Sequence, residues 1–339
     1  VRIDPTFSDD DWVSLNPGMP GANYPVYAVA ANGSGNVYVG GSFYVIGTVV
    51  ANYIAKWDGS NWSALGSGMN RPVPALAVSG ANLYAGGRFT TAGGVTANSI
   101  ARWDGSNWSA LGSGVDGGVS ALAVSGANLY VGGEFWTAGG VSATNIARWN
   151  GSAWSALGSG MNTLGTVKAL VAVGADIYAG GEFATAGGVT ANGIAKWDGS
   201  TWSALSSGMG GAYPPTVNGL AVSGTVLYAA GGFGTAGGVT AKNIAKWDGG
   251  AWSALGTGMD FSTYALAVSG TDLYAGGSIW AAEGVWPNNI AKWDGRAWSA
   301  LGAGLNDSVG ALAVSGTNLY AVGWFATAGG VAANHVAKW

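Results

Sequence analysis

One motif, repeated seven times in tandem, constrains this chain more than anything else in it. Its fullest form reads V-x-A-L-A-V-S-G-x-x-L-Y-A-G-G-x-F-x-T-A-G-G-V-x-A-N-x-I-A-K-W-D-G-S-x-W-S-A-L-G-S-G-M. The first tryptophan of the motif's pair falls at Trp57, Trp103, Trp149, Trp197, Trp247, Trp293 and Trp339, with spacings of 46, 46, 48, 50, 46 and 46. The second falls at Trp12, Trp62, Trp108, Trp154, Trp202, Trp252 and Trp298. A unit of this size cannot bury its own apolar surface, so neighbouring units must stack. Length alone would suggest two domains, but the repetition predicts one domain over residues 1–339.

Residues 73–114 show how one unit reads. Val73–Val78 alternates apolar positions (strand a), and Ser79-Gly80-Ala81-Asn82 turns the chain. Leu83–Phe89 is strand b, and Thr90–Asn98 is a glycine-containing connection. Ile100–Trp103 is strand c, Asp104-Gly105 signals a tight hairpin, and Trp108–Leu111 is strand d. Four short antiparallel strands make one blade of a β-propeller, and no segment keeps a helical period over ten residues. The fold class is therefore all-β, a seven-bladed β-propeller of four-stranded antiparallel blades. The double glycine of strand b predicts close backbone packing near the centre of the ring.

The chain enters at a strand d and ends at a strand c. Pairing Trp12–Leu15 with Val336–Trp339 completes the last blade and leaves no open edge. The predicted layout is a lead-in at 1–11, strand d at 12–19, and blades ending near 69, 115, 161, 209, 259, 305 and 339.

Composition narrows the function classes. The 62 glycines do not signal disorder, because 48% of residues are hydrophobic and only 9% are charged. No apolar run approaches the ~18 residues that span a bilayer, so no membrane insertion is expected. The net charge of −4, with no basic block, argues against a nucleic-acid partner. The absence of cysteine excludes disulfides and thiolate metal sites. No cofactor or metal is expected, and the chain reads as a monomer.

The run L-Y-A-G-G, then I-A-K-W-D-G and W-S-A-L, resembles the kelch pattern, and the one-plus-three closure is similar to WD-repeat propellers. The units also resemble the I-A-x-W-D-G-x-x-W repeats of bacterial secreted or surface proteins and of fungal cell-cortex markers. The resemblance spans residues 12–339 and implies an extracellular or cell-surface location. The long T-A-G-G-V-x-A-N connection departs from kelch, so kelch-type partners do not carry over. Propellers host many unrelated activities, so function must be read from where the units differ.

The differences fall almost entirely on one side, the exception being one extra residue in the first unit's a–b turn, Asn32-Gly33-Ser34-Gly35. From each strand-d tryptophan to the next strand-a leucine or valine, the counts are 17, 14, 14, 16, 18, 14 and 14. Strands alternate up and down, so the d–a and b–c connections share a face, and variation confined to one face marks a binding face. Trp136, Trp280, Trp286 and Trp324 lie outside the tryptophan pairs, all at the end of strand b or in the b–c connection. Tyr24, Tyr44, Tyr213 and Phe261 fall on the same side. The position before A-L-A-V also varies: Tyr27, Pro74, Ser120, Lys168, Asn218, Tyr264 and Gly310. The candidate ligand-contacting residues are Tyr27, Arg88, Glu134, Trp136, Lys168, Glu182, Asn218, Tyr264, Trp280, Trp286 and Trp324. Aromatic faces with scattered polar groups suit a glycan or a protein ligand; the competing expectation is that they plug the channel mouth or pack loop on loop.

Other candidates are weighed against structural roles. Lys56, Arg102, Arg148, Lys196, Lys246, Lys292 and Lys338 precede each strand-c tryptophan and are expected to pair with the following Asp or stack on Trp. Asp58, Asp104, Asp198, Asp248 and Asp294 are turn residues. Glu134 and Glu182 are the one carboxylate pair that could serve as acid and base of a carbohydrate-active enzyme; otherwise they are solvated or mutually repelling rim charges. His335 is the single histidine and cannot make a histidine-based metal site by itself. Asn61-Trp62-Ser63 and Asn107-Trp108-Ser109 match the glycosylation pattern by chance, since both tryptophans are scaffold. The expected function is non-enzymatic binding of a glycan or protein; the alternatives are an enzyme using Glu134 and Glu182, and a structural or designed repeat protein without ligand.

Overall fold

In the computed structural model, residues 12–15, 21–162, 164–211 and 213–339 are described. The alternating apolar runs form the expected strands, and no helix occurs among these residues. The third unit is typical: Gly118–Ser125, Asn128–Glu134, Ile146–Trp149 and Trp154–Ala156 hydrogen-bond in that order, all antiparallel. Seven such four-stranded sheets are present among the described residues. In one of them Val13–Ser14 pairs with Val336–Lys338, which continues through Asn318–Gly323 to Val309–Ser315. The expected lead-in, 1–11, and residues 16–19 of the expected strand d lie outside the described residues.

Both faces of each sheet are apolar because each sheet packs between two others. One core cluster joins Ile100 and Leu111 of the second unit to Val119, Val131, Phe135 and Trp154 of the third. Another joins Leu15, Val26 and Phe43 to Tyr320, Val322 and Val336 from the other end of the chain. Within each unit the two tryptophan rings lie 5.2–5.4 Å apart, tilted or edge-on. Each strand-d indole Nε1 donates to the strand-d leucine carbonyl of the preceding unit, as Trp108 does to Leu65 and Trp154 to Leu111, both at 2.8 Å.

The strand-b glycines do separate jobs. A Cβ on the first would press on the next unit's strand-a valine, as Gly86 on Val119 and Gly180 on Val217. A Cβ on the second would overlap a backbone oxygen of its own unit, as Gly181 on Thr166 and Gly231 on Thr216. Strand a also carries β-bulges, at Tyr27, Ser120, Lys168, Asn218, Tyr264 and Gly310, each opposed by no residue of strand b. A bulge re-aims the extra side chain. The same positions, with Pro74, line one cavity ringed by strand a of all seven units.

One sequence expectation is refined and one is corrected. The b–c connection is a hairpin in its own right, for example Thr91–Ala92 against Val95–Thr96. The basic series does not pair with the following Asp: Lys196 and Lys292 reach Asp176 and Asp272 at the start of strand b, at 2.7 and 2.6 Å. The cause is register. Tyr178 faces Lys196 across strands b and c, which places the Lys196 Nζ over the Tyr178 ring, 6.0 Å from its centre, within reach of Asp176. The turn aspartates are occupied elsewhere, accepting backbone amides two and three residues on.

Candidate functional site

The d–a connections and b–c hairpins are laced together. Met69, Val115, Met161, Met259 and Leu305 each bridge to the alanine of the next unit's b–c hairpin, and Ala22 bridges to Ile46 in the same way. The residue after the bridge is usually Asn or Asp. Asn70 Oδ1 accepts the Thr90 and Thr91 amides, Asp116 those of Trp136 and Thr137, and Asn306 those of Ala326 and Thr327. Burial acts to raise the Asp116 carboxyl, but these amides outweigh it and hold the group below its ordinary value. This stitch was hidden in the sequence, where Asn70, Asp116 and Asn306 looked like ordinary loop residues.

In the fourth and fifth connections the stitch fixes where the added length goes. Seven residues separate Trp154 from Met161 and Trp202 from Met209, as in the shorter connections. The additional residues follow the bridge, before strand a at Thr166 and Thr216. That stretch carries Leu164 and Tyr213, 93% and 85% exposed.

The predicted site residues divide into groups. Trp136, Trp280, Trp286 and Trp324 are all exposed. Trp324 lies against Tyr27, ring centres 5.6 Å apart, so for this pair the packing expectation holds. Tyr24 and Tyr44 also pair, at 5.5 Å. Tyr27, Lys168, Asn218 and Tyr264 line the channel mouth through their bulges. Trp280 and Trp286 flank a groove between the sixth and seventh units, with Ser278, Asn306, Asp307 and Ser308 on its walls. The two sets are joined by hydroxyls: Ser278 Oγ donates to Tyr264 Oη at 3.4 Å and lies 2.8 Å from Ser308 Oγ. Trp136 shares neither group.

The charged outliers sit at an exposed rim, as expected, but each carboxylate faces a cation and the two do not repel one another. Arg88 pairs with Glu134 of the next unit. Lys168 meets Glu182 at 2.7 Å, and the Thr216 hydroxyl donates to the same carboxylate at 3.0 Å. The Lys168 ammonium holds Glu182 below the usual carboxylate range, with Thr216 adding to it, whereas a general acid needs the opposite shift. His335 stands at the left-handed position before strand c, φ 73°, with Nδ1 3.1 Å from the Gly323 carbonyl oxygen. Burial pushes its imidazole below the ordinary value. No cluster of metal-ligating side chains occurs among the described residues.

Residues 63–225 match the family described as the Rax2 C-terminal beta propeller domain. The chain is a β-propeller of repeated units. Its architecture is similar to the extracellular domain of a putative one-component system of B. thetaiotaomicron, with TM-score 0.63 and 13% identity over 98% of this chain and 40% of that one. This chain thus spans less than half of that relative. It is also similar to the WD40 propeller domain of Doa1, with TM-score 0.63 and 13% identity over 96% and 95% of the two chains. A third likeness is the computationally designed Ika8, with TM-score 0.57 and 17% identity over 95% and 99%. At these identities the likeness is one of fold. No curated protein matches the sequence.

Proposed function

We propose that this chain is a non-enzymatic binding propeller, extracellular or at the cell surface, that presents its d–a and b–c face to a glycan or protein. The single domain comprises seven blades in a ring, sealed by Trp12–Leu15 against the C-terminal strand, with blades ending near 69, 115, 161, 209, 259, 305 and 339. The observation that carries the reading is asymmetry between the two faces. The loop face holds nearly all the length variation and the exposed indoles Trp136, Trp280, Trp286 and Trp324. The opposite face repeats the same hydrogen-bonded Asp-Gly turn, as at Asp104 and Asp198. A surface so nearly alike from unit to unit offers little to tell one ligand from another, whereas exposed aromatics beside polar groups do. The extracellular domain among the structural relatives supports the proposed location. The enzymatic alternative is disfavoured because Glu134 and Glu182 are each held by a cation.

The test is binding of labelled protein to intact microbial cells and to a glycan array. Replacing Trp136, Trp280, Trp286 and Trp324 together by alanine, which strips the exposed indoles from the loop face, should abolish binding, and Asn107→Lys on the turn face should not. Loss with the turn-face variant alone would reverse the assignment.

A further inference from the structure

The groove between the sixth and seventh units differs chemically from its equivalents. The same inter-unit groove between the second and third units is lined by Arg71, Arg88, Thr90 and Asp116. Between the sixth and seventh, Ser278 stands in place of Arg88, Trp280 in place of Thr90, and Asn306 in place of Asp116. Trp286 replaces Thr96 at the base of the hairpin, so one groove has gained two indoles and lost its cations. Both indoles are open to solvent, at 65% and 70% exposure. Neither is loosely held: the Trp280 amide donates to Asp260 Oδ1 at 3.1 Å, and Pro287, buried, follows Trp286.

We propose that this groove binds a neutral saccharide, one pyranose ring stacking on Trp280 or Trp286. The proposal rests on the binding-face reading and names its ligand class and place. The groove encloses about 500 Å³, which suits one or two sugar rings and is small for a protein epitope. Sugars present apolar C–H faces edged by hydroxyls, and the walls supply the complement. Asn306 Oδ1 is occupied by the Ala326 and Thr327 amides, which leaves its Nδ2 to donate. The Ser278 and Ser308 hydroxyls, 2.8 Å apart, are set to exchange hydrogen bonds with a diol. Asp307 can accept from a hydroxyl, and with no Lys or Arg in the lining it disfavours an anionic sugar.

The test is affinity electrophoresis of the full chain through gels containing β-1,3-glucan, β-1,4-glucan, mannan or soluble chitin oligomers, with heparin as the anionic control. At least one neutral polymer should retard the chain. Trp280→Ala with Trp286→Ala should weaken that retardation at least about tenfold, the order lost with an aromatic anchor. Trp136→Ala, outside the groove, should leave it unchanged, and circular dichroism melts should show all variants folded. Equal retardation of the double variant would move the saccharide elsewhere and overturn the proposal while sparing the binding face. Stronger retardation by heparin would overturn the neutral class. If no polymer retards the chain, the proposal fails, and the cell-binding test with all four indoles replaced then decides the broader reading separately.

Discussion

Trp12 Nε1 donates to the Leu301 carbonyl oxygen at 3.0 Å, although 289 residues separate them. The bond repeats the one between Trp108 and Leu65, 43 residues apart. Joining the chain's two ends therefore uses the same device as joining neighbours. Trp12→Phe keeps most of the buried ring but strips Leu301 of its donor, which should cost about 1–3 kcal/mol. Trp108→Phe should cost the same within error in denaturant melts. A Trp12→Phe chain as stable as the parent would mean that the N-terminal strand does not hold the ring.

The two strand-b glycines should respond differently to alanine. All seven units keep the second glycine, whereas Ala230 and Val322 occupy the first position in the fifth and seventh units. Gly180→Ala meets Val217, a side chain that can shift, and should cost about 1–3 kcal/mol as overpacking. Gly181→Ala meets the Thr166 carbonyl, which is fixed in the ladder, and should cost more than about 4 kcal/mol or prevent folding. Equal losses in paired urea titrations would contradict the separate roles.

The repeat made the strands, their order and the shared loop face legible, because apolar alternation, Asp-Gly turns and tryptophan spacing are all local in sequence. The strand-a bulges were not legible. A bulge depends on two strands disagreeing by one residue, so Ser120 and Lys168 showed only as variable positions. The Asn70, Asp116 and Asn306 stitches were missed because an Asx side chain that caps another unit's hairpin looks like any turn residue. Trp280 and Trp286 were visible as outliers, but the walls of their groove come from the following d–a connection and needed the fold. Sequence proximity points Lys196 to Asp198, whereas cross-strand register carries it to Asp176.

Thr263 marks an avoidable cost. It is fully buried, its Oγ1 has no hydrogen-bond partner, and the other six units place valine there: Val26, Val73, Val119, Val167, Val217 and Val309. Thr263→Val removes an unsatisfied hydroxyl without changing shape and should stabilise the chain by about 1–3 kcal/mol. An unchanged or lower midpoint in thermal melts would show that the hydroxyl is satisfied in solution, by water for instance.

Acid should weaken the fold through the exposed turns. Asp58, Asp104, Asp198, Asp248 and Asp294 are each held below the ordinary carboxylate value, first by the backbone amide three residues on and then by the one two residues on. A depressed folded-state pKa stabilises above the unfolded value of 3.8 and is lost as pH falls through the folded one. The transition temperature should therefore drop as pH goes from about 7 to about 3, the span across which unfolded carboxylates titrate. The third unit supplies the control: Asn150 Oδ1 accepts from Ser152 and Ala153 at 2.9 and 2.8 Å with no charge to lose. Replacing all five aspartates by asparagine should keep the turns and narrow the acid-induced drop. If calorimetry at the two pH values shows the same drop in the fivefold variant, the turns are not its source, and the loss belongs to Asp116 and Glu182, whose carboxyls are depressed by hairpin amides and by Lys168.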